Sequence, residues 1–338
     1  MTTRWTRRER VMAAIGGGAA DRPPVSFWGH AYHRESSARD LADATLEFRD
    51  RYDWDLVKLN PRASYHGEVW GLSFHYSGVP DEKPKRMDFP VHDPGDWARV
   101  HPRDSSAAPL AEQLEAVRLV RAGLPVDVPF VETVFSPLSI AADLAESPQA
   151  VLAHLRTDEA KVLQAVEAIA TTFRGFVKDV LAAGADGIFY ATVDWATRDL
   201  ITPAEYFRWA RPFDLAVLEA ARDASLNVLH VCRRNNLLLQ LADYPAHAFS
   251  WAATEPGNPD LQSGLSAVSG AVMGGVGQED ALQAARPEGV LRQLEDGLEK
   301  TGGKRWIVAP GCSIPPRTPP ENLRAVRDWV AARAEQRV

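Results

Sequence analysis

Hydrophobic positions along the chain switch between two periods, and the switches outline its elements. Val162, Val166, Ile169, Phe173, Phe176, Val177 and Val180 recur at spacings of three and four, one face of a long helix. Short apolar runs at 25–28, 54–59, 126–131, 187–191, 227–232, 247–251, 271–276 and 306–309 read as strands. A first helix is expected at 7–15, capped by Thr6 and ended by Gly16-Gly17-Gly18. Thr202-Pro203-Ala204-Glu205 and Thr318-Pro319-Pro320-Glu321 have the form of capping boxes, opening a helix at 202–224 and the closing helix. Further helices are expected at 37–52, 111–122, 235–242 and 287–300. Residues 60–110, rich in Pro, Gly, His and Trp, are too long for an ordinary connection and read as an excursion over a site.

Eight strands, mostly separated by helices, predict an α/β fold: a (β/α)8 TIM barrel, one domain over 1–338 with a long insertion between strands 2 and 3. An open doubly wound sheet is the competing arrangement. It lacks its phosphate-binding signature here, because Gly274-Gly275-Val276-Gly277 reads as a tight turn. In a barrel of this kind, chemistry sits at the carboxyl ends of the strands.

Composition narrows the setting. With 45% hydrophobic and 25% charged residues, the 338-residue chain has the make-up of an ordinary globular protein. A net charge of -7 argues against a nucleic-acid partner, which favours a basic stripe. No run approaches the roughly 20 apolar residues of a membrane span. Met1-Thr2-Thr3-Arg4-Trp5 lacks the apolar core of a signal peptide, and two cysteines make no disulfide framework. A reducing cytoplasm is the expected compartment.

Those two cysteines carry the most specific chemistry. His230 and Cys232 stand two apart at the end of the fifth expected strand and so share a face. Cys312 follows the eighth. Together they form a set of two thiolates and an imidazole, suited to Zn²⁺ with its fourth position open. The same residues also suit a packed core of two small apolar cysteines and a satisfied histidine.

Several stretches resemble the uroporphyrinogen decarboxylase superfamily. They are Arg8-Glu9-Arg10 with Asp21-Arg22-Pro23-Pro24-Val25, Ser136-Pro137-Leu138, Asp194, Ile201 to Phe207 before Pro212, His230-Val231-Cys232, Gly274-Gly275-Val276, and Pro310 to Pro316 with Thr318 to Asn322. The resemblance spans nearly the whole chain and implies a (β/α)8 barrel. His-x-Cys with a later Gly-Cys is similar to the branch of zinc-dependent methyltransferases that move methyl groups between corrinoid proteins and a thiol. For this chain that likeness implies zinc on His230, Cys232 and Cys312, a thiol acceptor and a corrinoid (cobalamin) methyl donor. No corrinoid-binding domain is visible, so the corrinoid would arrive on a separate protein or free.

The departures shape the rest of the reading. The decarboxylase's two-arginine motif is here Phe27 to Arg34, keeping only Arg34 as an equivalent, which argues against a substrate with many carboxylates. Where the methyltransferases commonly carry Gly after His-x-Cys, Arg233 and Arg234 follow. They are candidates to fork around an anionic substrate group, or else face solvent at a helix start. His30 and His33 are candidate acid-base groups or ligands. Asp194 is the candidate catalytic carboxylate, touching substrate or supporting His230. Trp28, Tyr190, Trp195 and Trp251 are expected to wall the pocket. Leu323, Val326, Trp329 and Val330 on the closing helix fit either the core or a homodimer interface. Besides zinc-dependent methyl transfer to a thiol, two readings stay open: a metal-free decarboxylase and a non-catalytic carrier of a small molecule or corrinoid.

Overall fold

A computed structural model describes residues 5–62 and 65–335. Ala63 and Ser64, inside the excursion expected at 60–110, and Met1 to Arg4 lie outside the described residues. Seven parallel strands form one curled sheet in the order β1 (Val57–Leu59), β4 (Phe130–Phe135), β5 (Gly187–Ala191), β6 (Val228–His230), β7 (Ala248–Ser250), β8 (Ala271–Val276) and β9 (Trp306–Pro310). The remaining two, β2 (Phe74–His75) and β3 (Lys85–Arg86), make a small antiparallel hairpin.

The first of the eight expected strands, at 25–28, is instead a bridged segment. Val25 pairs with Val308 alone, and the Ser26 amide donates to the Val308 carbonyl at 2.9 Å. On its other side, the Asp55 amide donates to the Val25 carbonyl at 2.9 Å, ahead of β1. Side chains hold this segment where ladder bonds are few. Asp55, fully buried, accepts from both terminal nitrogens of Arg22 at 2.5 and 3.0 Å, from Arg10 at 3.2 Å and from the Val25 amide at 3.0 Å. Arg10 in turn forks onto Asp21 at 2.7 and 2.8 Å. The Arg8-Glu9-Arg10 and Asp21-Arg22-Pro23-Pro24 motifs are therefore the fastening of the amino-terminal segment to the sheet.

Alternation along the strands separates two cores. Inside the curl lie Trp28, Val131, Phe189, Ala191, Val228, Met273 and Ile307; outside, Val134, Ile188, Tyr190 and Leu229 pack against the helices. The closing helix Pro320–Glu335 belongs to this outer layer: Leu323, Val326, Trp329 and Val330 are buried within the chain itself, so they are core.

Several expected boundaries moved, each for a local reason. The strand expected at 126–131 runs Phe130–Phe135, because Val126 is 89% exposed and Pro129 lacks a ladder donor. The helix expected at 202–224 breaks at Ala210 into Pro203–Trp209 and Arg211–Glu219, since Pro212 cannot continue the first helix's hydrogen bonding. The Thr202 box forms with Glu205. The Thr318 hydroxyl instead donates to the Pro315 carbonyl and accepts from Gln283, and the helix starts at Pro320. The helix expected at 235–242 is only a 3-10 turn, Leu238–Gln240. No helix among the described residues is long and apolar enough to cross a membrane.

The excursion after β1 is partly anchored. Trp70 and Trp97 are buried and donate to the His101 carbonyl and to His154. Asp81 in the β2–β3 hairpin pairs with Arg317, beyond β9, and Lys83 lines the cavity at the carboxyl ends of the strands.

Candidate metal centre

A cavity of about 860 Å³ opens at the carboxyl ends of the strands, and His230, Cys232 and Cys312 share its wall. His230 ends β6 facing inward, and its ring lies 5.0 Å from that of Phe189. Its register partner on β7, Ser250, meets Nδ1 through Oγ at 3.1 Å. That contact leaves Nε2 to face the cysteines, 2.8 Å from Cys232 Sγ. Cys232 continues the alternation past the strand end.

Cys312 is delivered by the turn after β9. The Gly311 amide donates to the Val276 carbonyl at 3.1 Å, and a Cβ there would lie 2.6 Å from Ala252 Cα and from Gln278 Oε1. Only glycine lets the backbone pass that close, which explains the Pro310-Gly311-Cys312 order. The sulfurs of Cys232 and Cys312 come to 3.8 Å, and the three potential ligand atoms all lie within 4.8 Å of one another. Two thiolates on one tetrahedral Zn²⁺, at about 2.3 Å each, stand about 3.8 Å apart. The donor set and its spacing fit the ion.

The two sulfurs divide unequally without a metal between them. A hydrogen bond from Cys232 holds the Cys312 thiol well below its ordinary range against the opposing effect of burial, and His230 adds to the lowering. Cys232, bonded to that sulfur and buried, is pushed well above its own.

The loop after Cys232 is turned by left-handed backbone at Arg233 (φ 68°) and Asn235 (φ 50°). Its carbonyls are held by Asn258 on Arg233 at 3.0 Å and Thr197 on Arg234 at 2.7 Å. Arg233 thus occupies a conformation that glycine takes freely. Neither arginine begins a helix. Both side chains are exposed at the rim, Arg233 paired with Asp194 and Arg234 with Asp199 at 3.2 Å. Asp194 lines the rim too, but Ser250, not Asp194, bonds His230.

Other expected site residues are dispersed. Trp28 lines the cavity. His30 does as well, with Nδ1 2.9 Å from the buried Glu35 carboxylate and its ring stacked on Tyr32 at 4.8 Å. His33 and Arg34 border a neighbouring cavity of about 320 Å³ that shares Trp28, His30, Lys58 and Asn60 with the first, and Arg34 forks onto Glu47 at 2.6 and 3.0 Å. Tyr190 points away from the site, because on β5 it alternates with the inward Phe189 and Ala191; its hydroxyl donates to Asp214 at 2.7 Å. Trp195 and Trp251 are likewise buried in the outer core, Trp251 donating to the Pro259 carbonyl at 2.7 Å.

Sequence reasoning missed Lys58, which projects from β1 into the curl. Its Nζ lies 5.4 Å from the centre of the Trp28 ring and 4.7 Å from that of Phe189, and donates to Asn60. Burial pushes its pKa down to about 8 against the pull of Cys312, Glu132 and other acidic groups. The available signal was a lysine in the middle of an apolar strand. Ser250, inside another apolar strand, offered none.

Comparison with known proteins agrees with this architecture. The chain is 25% identical to the methylcobamide:CoM methyltransferase MtaA of Methanosarcina barkeri, over 98% of each. It is 23% identical to a uroporphyrinogen decarboxylase of Thermus thermophilus, over 95% of this chain and 96% of that one. The solved structure of a methyltransferase from Methanosarcina mazei shares the fold, with a TM-score of 0.80 at 22% identity, covering 99% of this chain and 100% of the other. The sequence profile of the uroporphyrinogen decarboxylase (URO-D) family matches residues 6–333, and the chain belongs to that family.

Proposed function

We propose that this enzyme is a zinc-dependent methyltransferase that moves a methyl group from a methylated corrinoid to a thiol. The observation that carries the reading is the convergence of His230, Cys232 and Cys312 within 4.8 Å in the cavity, together with the similarity to a methylcobamide:CoM methyltransferase over nearly the whole chain. Zn²⁺ held by these three would supply a Lewis acid that keeps the acceptor thiol deprotonated at neutral pH.

The chain's own residues do the rest. Ser250 fixes the orientation of His230 so that Nε2 faces the cysteines. Trp28 and Phe189 wall the floor with apolar surface that excludes water. In the transfer, the new carbon–sulfur bond forms as the cobalt–carbon bond breaks with its electron pair staying on the corrinoid. The thiol proton leaves to solvent. The wide cavity mouth, rimmed by Asp194, Arg233 and Arg234, is where a corrinoid, free or on a separate protein, would approach.

The decarboxylase alternative needs cationic residues at the mouth to neutralise a substrate carboxylate; Arg233 and Arg234 there are already paired with Asp194 and Asp199, and Arg34 is committed to Glu47. The deciding experiment is the metal content of the purified protein, followed by transfer from methylcobalamin to a thiol monitored by the corrinoid spectrum. About one zinc per chain with thiol-dependent demethylation supports the assignment. Turnover unaffected by complete zinc removal would sink it.

A further inference from the structure

Lys58 is a buried lysine that no carboxylate touches, although Cys312, Glu132, Cys232 and Glu35 act on it from farther off. The residue is 6% exposed, and among the described residues its Nζ meets the Asn60 side chain and no carboxylate. One of its three donors is used, on Asn60 Oδ1. The nearby ring faces of Trp28 and Phe189 soften the charge but do not neutralise it. Keeping an ammonium out of water without a counterion in contact is costly, and Lys58 borders the cavity that holds the cysteines. The rim arginines differ in both respects: they are exposed and already paired with Asp194 and Asp199.

We propose that Lys58 is the anion-binding residue of the acceptor site, pairing with a carboxylate or sulfonate carried on the same small molecule as the thiol; this rests on a thiol being the acceptor. Spacing limits that molecule. Nζ is 4.7 Å from the Phe189 ring centre, and that centre is 5.0 Å from the His230 ring. The ammonium is therefore within about 10 Å of the imidazole, and the sulfur and anionic oxygens must be joined by a short chain. The site selects a compact anionic thiol over a neutral one of the same length.

Calorimetric titration of the zinc-loaded protein tests this with 3-mercaptopropionate, 2-mercaptoethanol and propionate. The wild type should bind 3-mercaptopropionate about tenfold or more tighter than 2-mercaptoethanol. Lys58→Met should bring the two within about twofold while zinc content and 2-mercaptoethanol affinity persist, and Lys58→Arg should keep a preference. An unchanged preference in Lys58→Met, or none in the wild type, overturns the assignment. Propionate separates this inference from the broader reading. If neither thiol binds but propionate binds the wild type and not Lys58→Met, Lys58 stands as the anion site and the thiol acceptor falls. Equal or absent propionate binding in both proteins, with no thiol preference, removes Lys58. Should Lys58→Met not fold, the wild-type preference and its retention in Lys58→Arg decide.

Discussion

Cys232 and Cys312, 80 positions apart in the chain, bring their sulfurs to 3.8 Å of each other. No local element links them: one follows β6 and the other β9, with two strands between. The curl of the sheet makes them neighbours, and the centre they form with His230 sets the first expectations.

Either cysteine changed to serine should lower zinc content from about one per chain to near zero, since a neutral hydroxyl replaces a thiolate. Ser250→Ala should retain the fold but weaken zinc binding by about 10- to 100-fold, because His230 loses the partner that orients it. Competition with a chromogenic chelator measures both. Unaltered affinity in Ser250→Ala would show that packing against Phe189 suffices to hold the ring.

Asp55→Ala should destabilise the fold by about 3–5 kcal/mol, leaving Arg22 and part of Arg10 as buried cations without their shared carboxylate. Thermal unfolding followed by circular dichroism reports this. A loss under about 1 kcal/mol would mean that water takes over the carboxylate's role.

Arg233→Gly should be neutral or stabilising by up to about 1 kcal/mol, as glycine relieves the φ of 68°. The exposed pair with Asp194 contributes too little to reverse the sign. Urea unfolding decides, and a marked loss of stability would assign the Arg233–Asp194 pair a larger part.

Asp214 predicts a pH dependence. It is buried and its pKa rises from an ordinary 3.8 to about 6, because burial outweighs the hydrogen bonds from Tyr190, Tyr206 and Tyr244 and the nearby Arg211. An acid whose folded pKa is raised binds more protons folded than unfolded, so its contribution is full below pH 3.8 and falls until pH passes about 6. The fall is on the order of 3 kcal/mol. Wild type measured against Asp214→Asn should therefore lose relative stability between pH 4 and pH 6 and change little above. A relative stability that rises over that interval would reverse the assigned direction.

Much of this protein could be read from its residues in order. The long helix, the Thr6 and Thr202 caps and most strands follow from periodicity and capping, which are local. His230 and Cys232 share a face for the same reason. Pairing them with Cys312 also followed from expecting strand ends to gather at one mouth. What lay beyond reach was decided by distant contacts. Tyr190 faces outward and not into the pocket, since alternation tells which residues share a face but not which face turns inward; the curl of the sheet chose Phe189. The segment at 25–28 is a bridge and not a strand because Asp55, Arg10 and Arg22 hold it with side chains. Ser250 serves His230 only through the β6–β7 register. Lys58 became a site residue when β1 closed beside Trp28 and Phe189. Sequence determined the elements and the ligand types, because both depend on neighbours along the chain; tertiary structure alone decided which side chains face the cavity, because facing depends on how strands far apart in the chain pack together.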